Sequence, residues 1–124
     1  MIGRREAAGR LLGVAGVVAL PPAHRLAMGA QYGLASWYGA AFHGRRMANG
    51  RRFDMWGPNA AHRTLPLGTR CRVTCLRTGL SAEITIEDRG PYVAPRILDL
   101  SRGTARRIGM EGEGVAPVAL VVLA

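Results

Sequence analysis

Hydrophobic and polar positions alternate with period two over two neighbouring stretches of the chain. In SAEITIED, residues 81–88, Ala82, Ile84, Ile86 and Asp88 fall on one face and Ser81, Glu83, Thr85 and Glu87 on the other, as in a half-buried β-strand. TRCRVTCL, residues 69–76, alternates in the same way, and RTGL between the two supplies a Gly-containing hairpin turn. GLASWYG, residues 33–39, predicts a strand with aromatics, and VAPVALVVL, residues 115–123, a continuous apolar strand buried on both faces. Only SRGTARRIGM, residues 101–110, reads as helix: Ser101 can cap it, Ala105 and Ile108 give it a small apolar face, and Gly109 can end it. Many short strands, Gly/Pro turns and a single helix predict a mainly β fold, a small barrel.

The first 29 residues break this pattern. Arg4, Arg5 and Arg10 form a basic head, residues 11–20 are an uninterrupted apolar run, and Pro21-Pro22 stops it. Ten apolar residues are half of the about 20 that a membrane-spanning helix needs. With the small residues Ala27, Gly29 and Ala30, the segment reads as a secretory signal peptide, residues 1–29, cleaved to leave a domain over residues 30–124. A buried N-terminal helix is the alternative, less suited to Gly13, Gly16 and the proline pair. The cleavage region lacks a cysteine, so no lipid anchor is expected.

Charge then changes the picture of partners. The 124 residues carry a net charge of +9, and every basic residue is arginine. Without residues 1–29, thirteen arginines stand against seven acids, an excess of +6. These arginines are scattered rather than interleaved with aromatics, which argues against a nucleic-acid groove and suits an anionic cell envelope. Cys71 and Cys75 lie on one strand face with their Cα atoms roughly 13 Å apart at about 3.3 Å per residue. A disulfide tolerates less than about 7 Å, so two free, buried thiols are expected, and the spacing matches no zinc pattern.

Asp88 is the residue whose place in the pattern carries chemistry. It ends the core-directed face of its strand, where partial desolvation favours a protonated carboxyl and hence a general acid. It also precedes Arg89-Gly90-Pro91, so it equally suits a turn former that bonds the backbone or pairs with Arg89. Periodicity leaves both readings open.

Four segments in order, GLASWYGAAFHGRRMANGRRFDM, NAAHRTLPLGTR, DRGPYVAPRILDLSRGTARRIGM and GVAPVAL, resemble the RlpA-like (rare lipoprotein A) family of bacterial envelope proteins over about residues 33–122. The resemblance implies a six-stranded double-psi β-barrel, the fold of expansins and some endoglucanases. It implies a lytic transglycosylase that cuts the bond between N-acetylmuramic acid and N-acetylglucosamine in peptidoglycan strands stripped of stem peptides, leaving 1,6-anhydromuramoyl ends. No cofactor or metal is implied, and no stable membrane insertion follows signal cleavage. Asp88 falls on the family's catalytic aspartate and His62 on its functional histidine, a residue that bonds substrate, orients Asp88, or is held structurally by backbone. Asp99 of RILDLS matches a further acidic position of more structural character. Trp37, Tyr38, Asp54 and Arg89 are the expected substrate-binding residues, though at least one of the two aromatics suits the core better. His43, in a Gly-rich turn, reads as a surface loop residue.

One departure matters. Where the family has ANGExFD this chain has ANGRRFD, so Arg51 replaces a glutamate associated with activity, and Asp54 is kept. No segment matches the C-terminal glycan-binding domain that many members carry. Two function classes therefore stand: a glycan-cleaving enzyme, favoured by Asp88, His62 and DRGP, and an expansin-like barrel that binds or loosens the wall, favoured by Arg51.

Overall fold

The computed structural model describes residues 29–123; the signal segment read from the sequence lies outside them, apart from Gly29. Six strands form the fold: β1 (Gln31–Tyr38), β2 (Asn59–Ala61), β3 (Arg70–Cys75), β4 (Ser81–Asp88), β5 (Arg96–Ser101) and β6 (Val115–Val122). They close into a barrel in the order β1-β5-β2-β4-β3-β6. This is the mainly β barrel with one short helix that the pattern predicts, with the six strands that the family resemblance implies. Pairing is antiparallel except for β1 with β5 and β2 with β4. Among the described residues, closure leaves no open sheet edge.

The alternation that predicts β4 is realised. Ile84 and Ile86 are buried in the core, joined by Val73, Leu98, Leu100, Val118 and Leu120 from the other strands. The β3–β4 hairpin turns through Gly79 at φ 75°, with the Gly79 amide donating to the Cys75 carbonyl. Cys71 and Cys75 are free thiols buried in the core, as their strand spacing predicts. Burial pushes the Cys71 thiol up from its ordinary value. β6 departs from expectation: its middle, Val118 to Leu120, is buried, while Val115 and Val122 at its ends are exposed. Both faces are covered only over the middle of the strand.

The helix α1 (Arg102–Arg107) forms where predicted but is shorter. Ser101 caps it by accepting from the Thr104 amide, Ala105 and Ile108 are fully buried, and Gly109 at φ 81° ends it. Gly103 is packed so closely that a Cβ there would lie 2.7 Å from the Trp56 carbonyl oxygen. Between β1 and β2 runs a short 3₁₀ turn (Ala40–Phe42) and a long loop held by a second small cluster of Met47, Phe53 and Met55. Tyr38 packs against that cluster, which fastens the loop to the end of β1. Among the described residues no helix is long and apolar enough to cross a membrane.

Candidate active site

Ala61 is the register point of the site. On one side it pairs with Asp99 of β5, and on the other, after a bulge between Ala60 and Ala61, with Asp88 of β4. Two strand spacings of about 4.8 Å therefore separate the backbones of the two aspartates, with a methyl group between them. A cleft of about 390 Å³ opens there, lined by both aspartates, Ala61, Arg89 and Arg96, with Trp37, Tyr38 and Phe42 among its remaining walls. The volume is that of a small-ligand site.

Asp88 is half-buried at the end of β4. Its Oδ1 accepts from the Ala48 amide at 2.9 Å and from the Arg89 amide at 2.9 Å. Its Oδ2 has no hydrogen-bond partner among the described residues. Asp88 thus both forms the turn and lines the cleft, so the two readings of the sequence meet in one side chain. The Ala48 contact is set by a tight turn: Asn49 binds the Glu87 carbonyl with its amide and the Glu87 carboxylate with its side chain, and Gly50 follows at φ 86°. Arg51 sits in that turn, exposed, its amide held by Asn49 Oδ1 and its guanidinium without an ion pair among the described residues.

Arg89 does not pair with Asp88 through its side chain. Its Nη1 donates to the carbonyls of His62 and Leu65. His62 is buried, and its Nδ1 accepts from the amides of Thr64 and Leu65 at 3.1 Å each, which places the proton on Nε2, donated to Gln31 Oε1 at 2.9 Å. Burial first, then the charges of Arg63 and Arg89, push its pKa down, so the neutral ring is favoured. Both ring nitrogens are thereby engaged by protein groups. His62 fixes the turn whose carbonyls hold Arg89, one residue from Asp88.

Asp99 accepts from the Ser36 hydroxyl across the parallel β1–β5 pair and lies 3.5 Å from Arg96 Nη2. Tyr38 is fixed by its ring, stacked on Phe53 at 4.4 Å and set edge-on to Phe42 at 5.5 Å. Trp37 packs partly on the core, donates from Nε1 to the Glu111 carbonyl, and carries the Arg102 guanidinium over its ring at 5.4 Å. Asp54 is outside the cleft lining: its Oδ1 accepts from the Trp56 amide, an Asx turn. His43 is exposed in its loop, with Nδ1 accepting from the Met55 amide.

Of the predicted site residues, the cleft brings together Asp88, Arg89, Trp37 and Tyr38, while His62 and Asp54 are not part of its lining. Sequence reasoning missed Ser36, Phe42, Ala61 and Arg96. Arg96 and Asp99, three residues apart in RILDLS, were the available signal for a charged pair; Ala61 had none, because only the barrel register gives it meaning.

Comparison with known proteins shows the family of the chain. A family model described as lytic transglycolase matches residues 30–120. A probable endolytic peptidoglycan transglycosylase RlpA of Synechocystis is 56% identical over 91 residues, covering 73% of this chain and 28% of that protein. An endolytic peptidoglycan transglycosylase RlpA of Campylobacter jejuni is 45% identical over 91 residues, 73% of this chain and 33% of the relative. The chain thus spans about a third or less of these two relatives. Among solved structures, an expansin of Clavibacter michiganensis superposes with a TM-score of 0.60 at 21% identity, over 77% of this chain and 50% of the expansin, a likeness of fold. On the match over residues 30–120 and these identities, the chain belongs to the RlpA-like lytic transglycolase family of double-psi β-barrels.

Proposed function

We propose that this barrel cuts peptidoglycan glycan strands as a lytic transglycosylase, with Asp88 as both its acid and its base. The observation that carries the reading is the Asp88 carboxyl itself, which lines a cleft of ligand size: one oxygen is anchored by two backbone amides, and the other has no hydrogen-bond partner among the described residues. The names borne by the relatives support the substrate class.

In the proposed reaction Asp88 Oδ2 gives its proton to the glycosidic oxygen between N-acetylmuramic acid and N-acetylglucosamine as the C1–O bond breaks. The muramoyl 6-hydroxyl oxygen then bonds to C1 and its proton passes to Asp88, so the carboxyl is regenerated and no water is consumed. His62 acts as a positioning residue through the turn that seats Arg89. The substrate is strands lacking stem peptides, and the protein works in the cell envelope after losing residues 1–29.

The test is digestion of sacculi with and without amidase pretreatment, with mass spectrometry for anhydromuramoyl ends. Anhydro ends that increase after stem-peptide removal support the proposal. Intact glycan binding with no anhydro product, from wild type and from Arg51→Glu alike, would leave a wall-binding barrel instead. Restoring the family's glutamate in the turn that holds Asp88 is expected to raise turnover.

A further inference from the structure

The loop beside Asp88 sets two like charges opposite each other. Arg46 and Arg52 face one another in an isolated antiparallel bridge, fixed by the Met47 amide donating to the Arg51 carbonyl and the Phe53 amide to the Arg45 carbonyl. Residues so paired project on the same side with Cβ atoms about 4.5–5.5 Å apart, and like charges there are destabilising. Both arginines are exposed. Among the described residues neither has a carboxylate within ion-pair distance, whereas Arg70, Arg72, Arg102 and Arg106 do. Asp54 in the loop and Glu87 beside it are bonded instead by the Trp56 amide and the Asn49 side chain. A like-charge pair that is exposed and uncompensated marks a place for an anion.

The loop also steadies both guanidinium groups. Arg46 Nη1 donates to the Gly50 carbonyl at 2.7 Å and Arg52 Nη1 to the Gly44 carbonyl at 2.9 Å. A guanidinium has five N–H donors in a planar fork, so each keeps donors for a further acceptor. Carboxylates match that fork. Position then chooses the carboxylate. The turn between the two arginines gives its Ala48 amide to Asp88 Oδ1, and Phe42, under the Arg45 guanidinium, lines the cleft. An anion held by the pair therefore sits on the turn that anchors the proposed proton donor. On the glycan reading, the muramoyl ring that reacts at Asp88 bears a lactyl ether. With a stem peptide attached, the lactyl group ends in a neutral amide; once the peptide is removed, it ends in a carboxylate on a short tether from the ring.

We propose that Arg46 and Arg52 bind the free lactyl carboxylate of a muramoyl residue, so that this loop tells stripped strands from peptide-bearing ones. The inference rests on the glycan reading above and names the residues behind its substrate preference. Repulsion between the two guanidinium groups is relieved as the carboxylate binds. Arg51, whose amide is held by Asn49 Oδ1, is not required for the pair.

Equilibrium titration of the full chain carrying Asp88→Asn, so that no ligand is cut, tests this with three tetrasaccharides of alternating N-acetylglucosamine and N-acetylmuramic acid. One bears lactyl carboxylates, one has them capped as methylamides, and one carries stem peptides. The carboxylate form is expected to bind roughly tenfold more tightly than the methylamide, as charge-assisted hydrogen bonds would give, with the difference shrinking as salt is raised. The peptide-bearing form is expected to bind no better than the methylamide. Arg46→Gln and Arg52→Gln should each cut the preference roughly fivefold, the loss of one charged partner, with methylamide binding unchanged. Arg46→Lys and Arg52→Lys keep the charge and lose the fork, so they should retain part of the preference, and they carry the test should a glutamine variant fold poorly. Equal affinity for carboxylate and methylamide, a preference untouched by both glutamine variants, parallel weakening of the two ligands, or equally tight binding of the peptide-bearing form would overturn the proposal. So would loss of binding to phosphatidylglycerol vesicles in the glutamine variants with the carboxylate preference intact, which would give the pair to a lipid surface. Failure to bind any of the three sugars would sink the glycan reading as well, whereas equal binding of all three sinks the carboxylate subsite alone.

Discussion

Because Oδ1 of Asp88 accepts from both the Ala48 and the Arg89 amides, the consequences of changing this residue separate cleanly. Asn at position 88 keeps an oxygen for both amides and loses the titrating group, so the fold should survive with little change in melting temperature. Ala at position 88 orphans both amides and should cost about 1–3 kcal/mol, measured by denaturant titration. His62 offers a second separation. Its pKa is lowered below the ordinary 6.5, so the unfolded chain binds the proton more readily than the folded one. Stability is then full above the ordinary histidine value and is lost as pH falls through it toward the lower folded value. His62→Asn, whose amide oxygen can still accept from Thr64 and Leu65, should flatten this slope in thermal melts taken between roughly pH 5 and 7.5. If His62 positions Arg89 and Asp88 through those two bonds, His62→Ala, which leaves both amides unpaired, should lower kcat with little change in KM, and His62→Asn should recover most of the loss.

The β3–β4 hairpin and α1 were legible in the sequence because their signals are local: period-two alternation, a Gly turn, and Ser101 three residues before Thr104. The parallel pairs β1–β5 and β2–β4 were not, since their partners lie far apart in the chain and only the closed barrel brings them together. The three-residue β2 is too short to show a period, yet it sets Ala61 between the two aspartates. Asp88 was legible as a strand end before a turn, while its Ala48 contact depends on a loop forty residues away. Asp54, kept in the family motif, serves the turn that carries Trp56. α1 also shows how tightly that loop is seated. In Gly103→Ala the new methyl meets the Trp56 backbone at 2.7 and 2.9 Å, atoms that cannot rotate away, and a loss of about 1–3 kcal/mol is expected in denaturant unfolding.

Charge is distributed unevenly over the barrel. Glu83 pairs with Arg70 and Arg72, Glu113 with Arg77, and Glu111 with Arg102 and Arg106. Among the described residues, Arg45, Arg46, Arg51 and Arg52 have no carboxylate partner, so the loop whose turn holds Asp88 is also a basic one. Exposed charges of this kind are screened over about 10 Å at 0.1 M salt. Sacculus binding should therefore weaken as salt is raised, while binding of a neutral oligosaccharide should not; equal salt dependence would deny the loop a part in wall attachment. The measurement that bears most directly on the proposed function is the yield of 1,6-anhydromuramoyl ends from amidase-stripped sacculi, taken side by side for wild type and Asp88→Asn of matched melting temperature. Anhydro ends from wild type and none from Asp88→Asn are expected if Oδ2 of Asp88 moves the proton. Undiminished anhydro ends from Asp88→Asn, or their absence from wild type, would contradict it.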